Sequence, residues 1–231
     1  ADPWRARGGD AVARLVAPDE AAAQPARACR LGLAAAVISE DSDNLAYATP
    51  RVLFKLDATG AAQEIVMAEL LDTSRPLLSG ETIDVRGWTV EMFATMCALA
   101  GCDYVSNVRG VGIQRAHKLV ARHRTLRRVL RALRFELGEF AVPATYERDV
   151  EKALLTYAHQ TVYCRSARAT VPLAPIPDEV TKRHDDLDFL GPHLDASLAS
   201  GIAEARIEPI TRRPLDRTRP PPGLVSAGLS W

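Results

Sequence analysis

The chain has 231 residues, 47% hydrophobic and 25% charged, with 29 basic and 29 acidic side chains. This composition fits an ordinary soluble globular protein of one domain, or one and a half at about 150 residues per domain. It contains no run of eighteen apolar residues, which excludes a helical membrane span. The opening "ADPWRARGGD" has no apolar segment of the secretory kind, so no secretory signal is expected. Cys29, Cys97, Cys102 and Cys164 form no C-x-x-C pair, and free thiols in a reducing compartment are expected. The zero net charge is a sum of unlike pieces. Between Gly101 and Arg134 stand nine Lys and Arg side chains, and the only acid is Asp103. That asymmetry is the footprint of a polyanion-binding face, although a plainly solvated helical surface is its ordinary alternative.

Residues 1–15 show no clear periodicity. "AAAQPARACRLGLA" (21–34) is alanine-rich and helix-leaning, with Pro25 expected to begin or interrupt a helix. Ala34 to Ser39 reads as a buried strand that runs into Glu40, Asp41 and Asp43. "RVLFKLD" (51–57) alternates apolar and polar residues, and the turn "DATG" followed by "AQEIVMAEL" predicts a hairpin or adjoining strand. "TVEMFATMCALAG" (89–101) predicts a buried helix stopped at Gly101. After the loop "CDYVSNVRGVG" come two predicted helices, "IQRAHKLVARH" and "TLRRVLRALRFEL", the second with Leu126, Val129, Leu130 and Leu133 on one face. Pro143 opens another, "ATYERDVEKALLTYAHQTVY". From about Arg165 proline rises and periodicity weakens. "LDASLASGIAEARI" is one last short helix, and residues 214–231 are expected to be a disordered tail.

Two constellations carry chemistry. Residues i and i+2 of a strand share a face, so Asp41 and Asp43 are expected to project together from the strand's carboxyl end. That is the edge at which open α/β sheets build their sites. Asp103 falls just past a helix C-terminus, where the macrodipole disfavours a carboxylate, and Glu20 precedes a helix. Such acids repel one another unless a cation neutralises them, and oxygen ligands select Mg²⁺ or Mn²⁺ over zinc. Solvated loop acids are the bland alternative. An EF-hand is excluded, since Ala46 and Val52 stand where its glycine and glutamate belong. The second constellation is "NVRGVGIQRAHKL". Gly110 and Gly112 permit a tight turn, and the helix beginning near Ile113 presents free N–H groups beside Arg115 and Lys118. Such a turn holds a DNA backbone without reading bases.

Taken together, "VAPDEAAAQ", "AVISEDSDNLAYATPRVLFKLD", "MCALAGCDYVSNVRGVGIQRAHKLV", "ALLTYAHQTVY" and "DLDFLGPHL…GIAEARIEPIT" resemble the flap endonuclease superfamily of structure-specific 5′ nucleases. Its exonuclease 1 branch is the best match, over roughly residues 16–213. The resemblance implies an α/β fold, a partial mixed sheet flanked by helices in a PIN-like nuclease core, with a helix–two-turn–helix DNA-binding subdomain. It divides the chain into a divergent segment 1–15, an internal nuclease region 16–104, the DNA-binding subdomain 105–163, a C-terminal extension 164–213 packing on the core, and the tail. It implies two-metal phosphodiester hydrolysis with Mg²⁺, or Mn²⁺, held by Glu20, Asp41, Asp43 and Asp103. It also implies K⁺ at a turn around Asn107, Val111 and Gly112, and contacts to duplex DNA from Arg109, Gly110, Gly112, Gln114, Arg115 and Lys118. The implied partner is double-stranded DNA with a 5′ end, nick or flap, bound by a monomeric nuclear repair enzyme.

The departures from the pattern set further expectations. The family motif E-A-D-A-Q-L-A is here Glu20-Ala21-Ala22-Ala23-Gln24-Pro25-Ala26, so Ala22 replaces a metal-binding aspartate. Asp19 is nearby but faces differently on a helix. The family's N-terminal half, with further metal-binding aspartates and the helical arch, has no counterpart. The chain is therefore expected to be a fragment or a degenerate paralogue with little activity alone. The alternatives are a non-catalytic duplex-binding module and, more weakly, a phosphohydrolase of small esters. No sliding-clamp motif is present in the tail.

Overall fold

The apolar run before the acidic cluster yields only a two-residue strand, β1 (Val37–Ile38), paired in parallel with β2 (Arg51–Phe54). β2 pairs antiparallel with β3 (Gln63–Val66), giving a mixed sheet in the order β1-β2-β3. Asp57 fixes the hairpin between them, its carboxylate accepting from the Thr59 and Ala61 amides at 2.8 and 3.0 Å. The computed structural model describes residues 15–74, 83–138, 141–184 and 186–215. The divergent N-terminal segment, except Leu15, and the tail from residue 216 lie outside the described residues.

α1 (Ala23–Arg30) carries Pro25 in its first turn, where the missing N–H would have had no intrahelical acceptor. Single helical turns follow β1 and β3, α2 (Asp43–Ala46) and α3 (Met67–Leu70). α4 (Val90–Ala100) is capped by Thr89, whose hydroxyl accepts from the Met92 amide at 3.2 Å. Its residues are apolar on nearly every side, so it is buried almost all round. Gly101 stops it at φ 101°, and a Cβ there would sit 3.3 Å from both Cβ and the amide nitrogen of Asn107. α5 (Ile113–His123) and α6 (Leu126–Leu137) are amphipathic. Their inward residues, with those of α4 and α7 (Tyr146–His159), form the largest apolar cluster.

Two expectations fail here. The helix predicted through 144–163 ends at His159. Gln160 turns to φ −42° and ψ 140°, and the chain continues as β4 (Thr161–Cys164), antiparallel to β5 (Ala169–Pro172). The strand was hidden because "TVYC" follows without a turn signal, while Gln160 is held from a distance: its carbonyl accepts from the Leu173 amide at 2.8 Å. The region after Arg165 forms the expected last helix, α9 (Ala196–Ala203), which Asp195 caps with bonds of 2.9 Å from the Ser197 and Leu198 amides, and before it the unforeseen β5, α8 (Asp178–Arg183) and a 3₁₀ turn (Asp188–Leu190). The first residues of the expected tail are also paired, Pro214 bridging to Ile207 and the Leu215 amide donating to Arg206 at 2.8 Å.

Leu130 is fully buried between α6 and its neighbours. Leu130→Ala should therefore lower stability by about 2–5 kcal/mol, read as a fall in the urea midpoint of the whole chain.

Candidate metal centre and nucleic-acid interface

β1 ends at Ile38, so Asp41 and Asp43 are not the strand neighbours that an i, i+2 relation requires. A short network of turns takes the strand's place. The Asp41 amide donates to Ser39 Oγ at 3.0 Å, and Asp41 Oδ1 accepts from the Asp43 amide at 2.9 Å. Asp43 then opens α2. The two carboxylates stay close through a side chain-to-backbone turn, a local alternative to the ladder that aspartate favours. Glu40 is diverted from the group, its carboxylate accepting from the Lys55 amide at 2.7 Å.

Asp43 is the group on which the acids converge. Burial pushes its carboxyl above the ordinary range, and the Asp41 charge adds to that push. A hydrogen bond from Tyr157 opposes it, and the Asp103 and Glu20 charges raise it further. Asp41, Asp103 and Glu20 therefore all lie within electrostatic reach of Asp43. Glu20 Oε1 accepts from the Ala22 amide at 3.2 Å and so partly serves the start of α1. Ala22 itself is buried among apolar neighbours. Asp19 faces elsewhere, hydrogen-bonded to Gln160 Nε2 beside Gly191.

Sequence reasoning missed what lies under the acids. Tyr47, Tyr104 and Tyr157 pack edge to face, with centroid distances of 5.0 Å for Tyr47–Tyr157 and 5.3 Å for Tyr104–Tyr157. The Tyr47 and Tyr104 hydroxyls bond to each other, and the Tyr157 hydroxyl donates to Asp43 Oδ2 at 3.3 Å. Burial drives all three phenols well above their ordinary range, so each stays a neutral donor at physiological pH. Beside them burial, with the Asp43 charge and Cys102, pushes the Cys97 thiol up to about 12, so it is no metal-ready thiolate. The one signal for this floor was a tyrosine in each of the stretches "NLAY", "GCDY" and "LLTY".

The donor set suits a hard divalent cation: carboxylate oxygens, and no ion pair to any of the four acids among the described residues. Asn44 fits as well. It is buried next to the pair, its amide donates to the Asp41 carbonyl at 2.9 Å, and its Oδ1 has no hydrogen-bond partner. Assembly is incomplete, however. Among the described residues no three His, Cys, Asp or Glu side chains are gathered closely enough to hold a metal ion.

The loop from Gly101 to Gly112 joins this cluster to α5. Gly110 takes φ 81°, open to glycine at little cost, and the Val111 amide closes a turn onto the Val108 carbonyl at 2.9 Å. Val111 is fully buried, and its carbonyl accepts from Asn107 Nδ2 at 2.7 Å. Gly112 precedes α5 without a side-chain cap, and the helix has no acid in its first turn. Its leading N–H groups are thus open to an anion. Gly112, Ile113, Gln114, Arg115 and Lys118 line one shallow surface depression. Arg115 also pairs with Glu136 at 2.9 Å, which ties the start of α5 to the end of α6. Arg109 is exposed in the turn ahead of Gly110.

Residues 11–103 match the family model of the XPG I-region. Exonuclease 1 of Oryza sativa subsp. japonica is 36% identical over 202 residues, 87% of this chain and 23% of that protein. Exonuclease 1 of Arabidopsis thaliana is 32% identical over 216 residues, 94% of this chain and 28% of that one. The chain thus contains an XPG I-region and, along most of its length, is similar to the exonuclease 1 proteins. The I-region match contains all four acids and stops at Asp103, while the similarity to the exonuclease 1 proteins runs well past it. This chain spans about a quarter of the length of those relatives. Among solved structures, the flap endonuclease-1 from Methanococcus jannaschii aligns with a TM-score of 0.41 at 25% identity, covering 60% of this chain and 37% of that one.

The raised Asp43 carboxyl has a consequence for stability. A folded-state pKa above the unfolded one contributes stability that is present at low pH and lost as pH rises through the folded value. Without added metal, Asp43→Asn should melt higher than the parent at neutral pH. The difference should vanish in acid, where both side chains are neutral; paired thermal melts across pH check it.

Proposed function

We propose that this chain is the I-region and duplex-binding part of a DNA 5′ nuclease of repair, a 5′→3′ exonuclease or 5′-flap endonuclease working in the nucleus as a monomer. The observation that carries the reading is the single loop from Gly101 to Gly112. It holds Asp103 in the field of Asp43 at one end and the uncapped start of α5 at the other. A duplex bound by its phosphates at α5 is thereby registered against the acids.

Glu20, Asp41, Asp43 and Asp103 would hold two divalent ions, Mg²⁺ or Mn²⁺. Such ions polarise a phosphodiester and supply hydroxide at neutral pH. The chain's own contribution is positioning. Tyr157 orients Asp43, the α5 amides with Gln114, Arg115 and Lys118 take backbone phosphates, and Arg109 and Gly110 border them. Asn107 and Val111 would hold K⁺ at the turn. Since Val111's carbonyl is bonded to Asn107 Nδ2, this site needs the amide turned so that Oδ1 faces the ion. The substrate is double-stranded DNA with a 5′ end, nick or flap.

A second reading, non-catalytic duplex binding, is favoured for the isolated chain by the incomplete gathering of carboxylates and by the buried Ala22. Both readings predict salt-sensitive duplex binding. Arg115→Gln with Lys118→Gln should weaken it and flatten the log–log salt slope by roughly 0.9 for each phosphate no longer neutralised. Asp41→Ala with Asp43→Ala should leave binding intact. On 5′-flap or recessed-end duplexes with Mg²⁺, the isolated chain should cleave weakly or not at all. Robust cleavage that disappears in the Asp41→Ala/Asp43→Ala variant would assign full catalysis to this chain. Salt-insensitive binding would remove the α5 interface.

A further inference from the structure

The outer face of α6 takes no part in the sites above. Val129, Leu130 and Leu133 bury its inner face completely. Positions 128, 131 and 135 fall within about 60° of one another on the helical wheel, opposite that face. They are Arg128, Arg131 and Phe135, all exposed, with Phe135 at 91%. The other acids and bases of the helix end are already matched: Glu136 pairs with Arg115 and Arg134 with Glu147. Arg127, Arg128 and Arg131 have no carboxylate within ion-pair distance among the described residues.

We propose that this face of α6 binds an unpaired nucleic-acid strand, with Arg128 and Arg131 on successive phosphates and a base stacked on Phe135. Charge complementarity selects a polyanion, since three guanidiniums stand together without a neutralising acid. The aromatic selects an unpaired strand over a duplex. A duplex offers its backbone to a helix face and keeps its bases stacked inside, so an exposed phenyl ring gains nothing from it. An unpaired base offers a π-face, and cationic grooves that add one aromatic per base are the usual way to hold single strands. The location is also apt. Glu136, next to Phe135 in sequence, is bonded to Arg115 at the start of α5, so the end of α6 that carries the ring lies against the start of α5. The choice of nucleic acid over an acidic peptide rests on the DNA-binding reading of α5; the stripe itself does not.

The test is fluorescence anisotropy of the full chain with three labelled probes: a single-stranded oligonucleotide, a blunt duplex, and the same duplex with a single-stranded extension. A polyglutamate peptide serves as competitor. Phe135→Ala should weaken the single strand and the extended duplex by about 5- to 150-fold. Blunt-duplex affinity and the thermal midpoint should stay unchanged, because the ring packs on nothing. Arg128→Gln with Arg131→Gln should flatten the salt slope on the single strand by roughly 0.7 for each phosphate no longer neutralised. If Phe135→Ala leaves all three probes unchanged while the blunt duplex still binds, the inference is wrong and the α5 reading stands. If the parent binds the single strand but not the blunt duplex, the α5 reading fails and the stripe is judged on the single strand alone. If polyglutamate displaces the single strand from the parent but not from Phe135→Ala, the face takes acidic protein and the inference is overturned.

Discussion

The Tyr47–Tyr104–Tyr157 cluster is the contact on which the site depends. Its three rings come from the end of α2, the loop after α4 and the last turns of α7, and it joins all three elements beneath the acids. Edge-to-face packing of this kind adds roughly 0.5–1.5 kcal/mol per pair beyond the area buried. Its larger effect is positional. Tyr157 aims a neutral hydroxyl at Asp43, and Tyr104 fixes the backbone next to Asp103. The acids converge because the aromatic floor beneath them converges.

That floor rests on α4, which is buried almost all round and ends abruptly at Gly101. A side chain at Gly101 would press on Asn107, so the loop can fold back closely only from a residue without Cβ. The loop then joins two stretches of opposite charge. It places a carboxylate near other carboxylates, at a cost that Asp43 registers, and twelve residues past Asp103 it presents Arg115 on an uncapped helix start. The proposed nuclease function would use that opposition, cations for the DNA backbone and carboxylates for metal.

What could be read from sequence followed the range of the forces involved. α5 and α6 were legible nearly to the residue, because a 3.6-residue period, a glycine turn before α5 and Thr125 before α6 are local signals. The β2–β3 hairpin was legible for the same reason: "DATG" sits between alternating runs. β1 was overestimated, since Ser39 and Asp41 bond to nearby amides and end the strand early. β4 and β5 were lost because Gln160 breaks α7 through partners as remote as Leu173 and Asp19. The four acids were singled out by residue type and by the resemblance, while the strand placement expected of Asp41 and Asp43 does not hold. The tyrosine floor and the orphaned Asn44 oxygen were not, being products of tertiary packing. The altered motif around Ala22 was visible in sequence, but only the fold shows Ala22 packed into apolar surroundings with Asp19 turned away.

The proposal that most needs testing is that the acids held around Asp43 by this floor take up a divalent cation. The direct measurement is the thermal midpoint of the whole chain as Mn²⁺ is titrated, for the parent and for Asp41→Asn with Asp43→Asn. A ligand that binds only the folded state raises the midpoint in proportion to the logarithm of its concentration once the site is saturated. The account predicts a rising midpoint in the parent and a flat one in the variant. Equal responses in both, or none in the parent, would contradict it.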